Sequence, residues 1–450
     1  MKKLLVVILA LMITATMLAG VSSMATRLPK NAETVVVIED LKANYEKMKT
    51  STFLDFFLEE LAVEILIQQY FEMIVYNSGS RPSDIYPAIS ADVGFATWYA
   101  PESSAFYSII VLGPMDRPSS ARTALRNVLP QFLSPQDIPE IVVDGNYLYV
   151  GDVGQFASLE KGFSSDKLTE GFPQSFGYFY AMNNEMIQRG VARVESSQII
   201  LEGFTEGRTD EARSLMRMIP REEGTLELER MEHYALVSGV LAINEPSVFE
   251  DLIGLGFDFS KQIPGIEDME MDEVISRSLA ILDEITGRAM LDFSVPVEDI
   301  FSALFSLQPQ AEVDIDVPSF DLLTRLEFSG ALSDLIELFE AADIEYSETD
   351  GVLRLEDGQY LWIQDGWIFL SNSPKAITSE RLERSRNAFE SLNYVSLARS
   401  IPQERFAVAF VDTGLFLGGL LGTGQIQSGL LASAWYSENN ERIEFLVILD

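Results

Sequence analysis

The sequence predicts an α+β protein: two similar modules, each an antiparallel or mixed sheet packed with helices, behind an N-terminal signal sequence. Three observations predict it. Short β-branched and aromatic runs alternate with longer stretches of helical periodicity. Asp144-Gly145 and Asp365-Gly366 each stand between β-rich runs, a strong hairpin signal. The order of elements around those two turns repeats in the two halves of the chain.

The first element, residues 1–25, has the three parts of an export signal: Lys2 and Lys3, an apolar run from Leu4 to Leu18, and small residues after it. Ser23-Met24-Ala25 fits the small-x-small cleavage pattern, so cleavage before Thr26 is expected, with an uncleaved anchor as the alternative. Leu18-Ala19-Gly20 resembles the start of a lipoprotein box, but Val21 follows, and a chain with no cysteine has no thiol to acylate.

The first module, 26–230, opens on the β-branched run Thr34–Ile38. The dense apolar stretch Ser51–Tyr76 follows, with Asp55, Glu59, Glu64, Gln68 and Glu72 forming one polar strip on a helix whose remaining circumference must be covered. Val93–Tyr99 and Phe106–Leu112 flank Pro101 as a hairpin feeding the helix Ser119–Leu129, and Ile141–Val143, Tyr147–Val150 and the strand Phe176–Met182 come next. Ser196–Phe204 and the charged Glu206–Arg230 end the module.

The second module, 231–450, repeats this order. Ala235–Ile243 is a strand, Ser247–Leu255 and Val274–Ile285 are helices, and Ala289–Val295 and Leu323–Phe328 are strands before the helix Leu332–Ala342. Tyr360–Ile363 and Trp367–Leu370 surround the second Asp-Gly. A helix rich in Arg and Glu and the strand Phe406–Val411 follow, and Leu431–Tyr436 with Ile443–Leu449 form a closing hairpin. At about 200 residues the repeat exceeds the solenoid range, which implies two related domains.

The signal sequence, the Leu28-Pro29 before a β-branched strand, and the Asp-Gly turns ahead of aromatic-aliphatic strands in two halves resemble a family of exported bacterial proteins catalogued as a domain of unknown function. The resemblance covers most of the chain after the signal. It implies a class and a location, and carries over no catalytic residues.

Composition narrows the chemistry. With 69 Asp and Glu against 32 Lys and Arg, the chain repels phosphates, which argues against nucleic acid and leaves divalent cations and basic surfaces as permitted partners. Zero cysteines exclude disulfides, thiolate zinc sites and cysteine nucleophiles. His233 is the only histidine, so histidine metal clusters are impossible, and it reads as a polar residue at the module junction.

Four further patterns read as structural. Ser164-Ser165-Asp166-Lys167 has Ser-x-x-Lys spacing without the companion motifs of penicillin-interacting enzymes, and reads as a helix-start cap near Ser165. Glu267-Asp268-Met269-Glu270-Met271-Asp272-Glu273 reads as a solvated loop and an acidic helix N-terminus. Calcium could be held there or by Asp314, Asp316 and Asp321, although neither segment has the spacing of a calcium loop. Gly414, Gly418 and Gly422 form a small-residue stripe for close packing, or a contact face for a partner or lipid.

No catalytic, cofactor-binding or metal-binding residue is therefore assigned, and no cofactor is expected. The expectation is an exported protein, periplasmic, in the cell envelope or extracellular, that is non-enzymatic and binds a partner or apolar ligand between its modules, with an apolar groove lined by the Ser51–Tyr76 helix as its sign. A carboxylate-dependent hydrolase of an envelope polymer is the alternative, and membrane contact is expected only through an uncleaved signal.

Overall fold

The computed structural model describes residues 21–60, 62–218, 229–230, 237–242, 271–294, 321–356, 358–373, 386–387, 392–414, 417–418, 426–437 and 442–450. Helices and antiparallel strands give an α+β fold. The chain forms two compact units, one running to Ala212 and taking in Val447–Asp450, the other Arg213–Leu446.

In the first unit the helix α1 (Val21–Ala25) precedes β1 (Thr34–Ile38). The helices α2 (Leu41–Met48), α3 (Val63–Asn77) and α4 (Pro82–Ile89) follow. Then come β2 (Val93–Ala100), β3 (Ala105–Leu112) and α5 (Pro118–Val128). The unit continues with β4 (Glu140–Asp144), β5 (Tyr147–Gly151), β6 (Gly177–Met182), β7 (Met186–Glu195) and β8 (Gln198–Gly207). Antiparallel ladders set the spatial order β4-β5-β3-β2-β1-β6-β7-β8.

Both faces of this sheet are covered, and strand alternation sorts the side chains between them. Val35, Val37, Ile109, Val111, Tyr147 and Tyr149 face a core that also holds Met24, Ala25 and Leu28 from the N-terminal segment, with Phe156 and Phe163. Leu148, Val150 and Ile141 face the opposite core, under Ala88 of α4 and Ala121 of α5. This explains why Tyr147–Val150 is buried at every residue instead of every second one.

In the second unit β9 (Val237–Ala242) is followed by α6 (Met271–Asp283), β10 (Ile285–Ser294), β11 (Asp321–Phe328) and α7 (Leu332–Ala341). Next are β12 (Tyr346–Thr349), β13 (Val352–Leu355), β14 (Tyr360–Gln364) and β15 (Trp367–Ser371). The helix α8 (Leu392–Ala398), β16 (Ala407–Val411), β17 (Leu430–Tyr436) and β18 (Arg442–Leu449) complete it, the last reaching into the first unit's share of the chain. The ladder order is β12-β13-β14-β15-β11-β10-β9-β16-β17, again antiparallel throughout. The Ser437 N–H donates to Arg442 O at 3.0 Å where the chain turns toward β18.

With the edge hairpin β12-β13 set aside, the second unit's order β14-β15-β11-β10-β9-β16-β17 matches the first from β4 through β7. A hairpin joined by an Asp-Gly pair lies outermost, next come the third, second and first strands of the unit, then the strand that follows the hairpin. The two Asp-Gly pairs nevertheless occupy different turn positions. Asp144 pairs with Tyr147, so the first loop is Gly145-Asn146 with positive φ at Gly145 alone, the II′ pattern. Gln364 pairs with Trp367, so the second loop is Asp365-Gly366, with φ 51° and 79°, the I′ pattern.

The sequence reading needs correcting in three places. Ser51–Tyr76 is not one helix: Thr52–Asp55 runs into a π turn, Phe56–Glu60, and α3 begins afresh after Ala62, whose φ is 53°. The strand β7 and the hairpin β12-β13 were not anticipated. The expected helix Ser247–Leu255 and most of the Arg/Glu-rich helix after Leu370 lie outside the described residues.

Candidate functional site

The helix α3 carries ten apolar or aromatic residues among its fifteen, yet only Val75 is fully buried. Val75, with Phe71 and Ile74 beside it, packs against Ile85 of α4 and Ala124 and Val128 of α5. The other apolar residues point away: Ile65, Leu66, Ile67, Tyr70, Met73 and Tyr76 are between 44% and 63% exposed.

The polar strip on the same helix is engaged by its neighbours. Lys49, just past α2, places Nζ 2.8 Å from Glu64 Oε2 and 3.1 Å from Glu59 Oε1. The hydrogen bond to Glu64 raises the Lys49 ammonium above its ordinary value against the opposing effect of burial. Burial, reinforced by the Glu64 charge, pushes the Tyr45 hydroxyl up to about 12. Farther along, Glu72 Oε1 accepts from Gln68 Nε2 and from the Tyr86 hydroxyl, each at 3.0 Å, and these bonds hold the carboxyl below its usual range.

This overturns the expectation that the non-polar circumference is covered. The two acids of α3, Glu64 and Glu72, have no lysine on the helix itself, and Lys49 just past α2 and Tyr86 of α4 supply their partners. A helix whose polar residues are tied to the body has its apolar side left over for solvent. Full burial of one such side chain is worth about 1.5–3 kcal/mol, so a partner covering several half-exposed ones gains several kcal/mol before the cost of association. Contiguous exposed apolar surface of this kind marks interaction sites.

No family model, curated protein or solved structure matches the chain.

The other sequence candidates do not assemble into a site. Ser165 precedes the short helix Asp166–Thr169 but makes no side-chain cap, contrary to expectation. Lys167 places Nζ 5.2 Å from the Phe163 ring centroid and 5.5 Å from that of Tyr180, a cation-π role. Asp272 and Glu273 fall in the first turn of α6, and Asp321 opens β11, paired through its backbone with Ser294. His233, Glu267–Glu270, Asp314, Asp316 and Gly422 lie outside the described residues. Among the described residues, no three acidic or histidine side chains gather as a metal site.

Gly414 is a close-approach position: a Cβ there would stand 1.9 Å from Ile426 O, and its N–H donates to Ser428 O at 2.8 Å. Gly414 therefore packs against backbone.

The carboxyls in the most changed surroundings are ones the sequence reading passed over. Glu39 is buried immediately after β1. Asp92 Oδ1 accepts from the Asp40 N–H at 2.7 Å, and burial raises the Asp92 carboxyl despite that bond. Nearby, the Tyr178 hydroxyl accepts from the Ser175 N–H at 2.9 Å and is raised by burial. The available signal was the Glu39-Asp40 pair directly after a β-branched strand, where two acids enter a core edge.

Proposed function

We propose that the protein is an exported, non-enzymatic component of the cell envelope, built from two copies of one α+β module, that binds an apolar ligand or partner through the outward face of α3. The observation that carries the binding reading is the inverted helix: Glu64 and Glu72 are held by neighbouring side chains, while Ile65, Leu66, Ile67 and Tyr70 stay exposed. Exposed apolar residues scattered singly need no explanation, but four within two turns of one helix do.

The matching strand orders support duplication, and Lys2 and Lys3 ahead of an uncharged apolar run support export. Membership of the exported family of unknown function that the layout resembles belongs to the same proposal.

The test uses the dye 1-anilinonaphthalene-8-sulfonate on the full chain. Its fluorescence is expected to rise on the native protein and to lose most of that rise in a Leu66→Ser, Tyr70→Ser variant of unchanged melting temperature. An equal rise in both proteins would sink the reading, because the dye would then report some other surface.

A further inference from the structure

The pattern Ser23-Met24-Ala25 marks a cut before Thr26, but the folded protein uses those residues. Met24 and Ala25 are 1% and 0% exposed and belong to the same core as Val35, Val37 and Trp98. Ser23 and Thr26, on either side, are exposed, so burial is specific to the two side chains that a cut would remove.

The surrounding chain is fitted to them. A Cβ on Gly94 would stand 2.7 Å from Met24 Sδ and 2.8 Å from its Cγ, so the middle of the sheet carries a residue without a side chain where Met24 lies. Gly94 has no positive φ that would explain the glycine otherwise.

The backbone is equally committed. The Phe163 N–H donates to Ala25 O at 3.1 Å, and the Gly162 N–H to Leu28 O at 2.9 Å, across more than 130 residues of sequence. The Arg27 and Leu28 N–H groups donate to Met24 O and Ala25 O, closing the turn that leads out of α1. A chain beginning at Thr26 would lose the Met24 O and Ala25 O acceptors, keeping Leu28 O, and leave an unfilled space over Gly94. Cavities of this kind destabilise because the walls relax only partly.

Upstream of α1 the seventeen residues from Leu4 to Gly20 carry no charge, hold the apolar run and are at the lower end of the length, about 17–25 residues, that crosses a bilayer. Lys2 and Lys3 place the N-terminus on the cytoplasmic side. From these observations we infer that the chain is not cut after Ala25, and that the apolar run stays attached as a tether holding the first unit directly against the outer surface of the membrane it was exported across. The partner of this segment is the hydrocarbon of a lipid bilayer. The inference rests on the export reading and goes beyond it, since an exported chain could equally be released.

The test expresses the full chain with a C-terminal affinity tag in a bacterium, followed by alkaline carbonate extraction, protease treatment of spheroplasts and intact-mass measurement. The expected result is a carbonate-resistant, protease-accessible chain whose mass includes residues 1–25. An accessible or released chain beginning at Thr26, or anywhere after the apolar run, overturns the tether and leaves export standing. A full-length chain that is soluble and protected inside the spheroplast overturns export and the tether together.

A second measurement separates the core role from the processing event. Met24→Ala in the full, detergent-solubilised chain is expected to lower the melting temperature by roughly 5–15 °C. No shift would remove the structural reason for retention.

Discussion

Two helices of this protein have similar apolar content and opposite fates. In α7, Leu332, Leu335, Ile336 and Phe339 fall at i, i+3, i+4 and i+7, a single stripe, and the structure buries Leu335 and Phe339 against Leu353 and Leu361 of the adjoining strands. Its acids, Asp334, Glu337 and Glu340, lie between the stripe residues and away from the core. In α3 the apolar residues surround most of the helix, one is fully buried, and the acids are those tied to neighbouring elements. The difference teaches that apolar density says a helix will be covered only when that density forms one stripe. Without a stripe, polar anchors decide which side turns inward.

The largest expected effect lies in the ordinary helix. Phe339→Ala removes a ring packed among Leu353, Leu361 and Tyr346 and is expected to cost about 3–5 kcal/mol, read as a lower urea midpoint for the second unit's transition. A change below about 1 kcal/mol would mean that α7 is not the structural helix of the comparison.

Val75→Ala comes next. Val75 is the one fully buried residue of α3, and losing two methyl groups between Ile85 and Val128 is expected to cost about 2 kcal/mol. If denaturation showed no loss, α3 would be held by its polar anchors alone. Lys49→Met in the same background would then become the decisive variant, because it removes the partner of both Glu59 and Glu64.

Much of the first unit was legible. Thr34–Ile38 is β-branched throughout, and the Asp-Gly pairs mark two hairpins whose loops have the positive φ that type I′ and II′ turns require. The missed β7 has a physical reason: Gln188, Arg189, Gly190 and Arg193 interrupt its apolar alternation, and its turn to β8 is Ser196-Ser197, at φ 49° and 69°. Serine seldom adopts that conformation, so the turn carries no sequence signature. The hairpin β12-β13 did carry one in Asp350-Gly351, at φ 52° and 78°, where the short, polar and exposed strand β12 concealed it.

The helix α3 was legible as an apolar segment, but the side it turns outward was not. A helix with apolar residues on most of its circumference gives no preferred inward side, and the residues that set it, Lys49 and Tyr86, lie on other elements.

The half-buried carboxyl of Asp92 gives a pH-dependent contrast. Asp92 has a folded-state value raised above the unfolded one, chiefly by burial. Its contribution to stability is therefore fully present below the unfolded carboxyl value and is lost as pH rises through the raised folded value. Asp92→Asn keeps an oxygen to accept from the Asp40 N–H and cannot ionise. The variant is expected to melt above the parent at neutral pH, with the gap closing on acidification. A gap constant from pH 3 to pH 7 would contradict the burial argument.

The smallest expected effect discriminates best. Leu66→Lys changes a residue that is 52% exposed, and surface substitutions away from caps, cores and networks usually fall within about 0.5 kcal/mol of zero. In α7 the corresponding change, Leu335→Lys, would bury a charge and unfold the unit. Leu66→Lys is expected to leave the urea midpoint unchanged while reducing binding of the apolar dye. A large loss of stability would mean that Leu66 is covered in solution by the protein itself, and α3 would then be a core helix of the same kind as α7. An unchanged midpoint leaves its apolar face without a role in folding, which is the condition under which selection for a binding surface explains why leucine stands there.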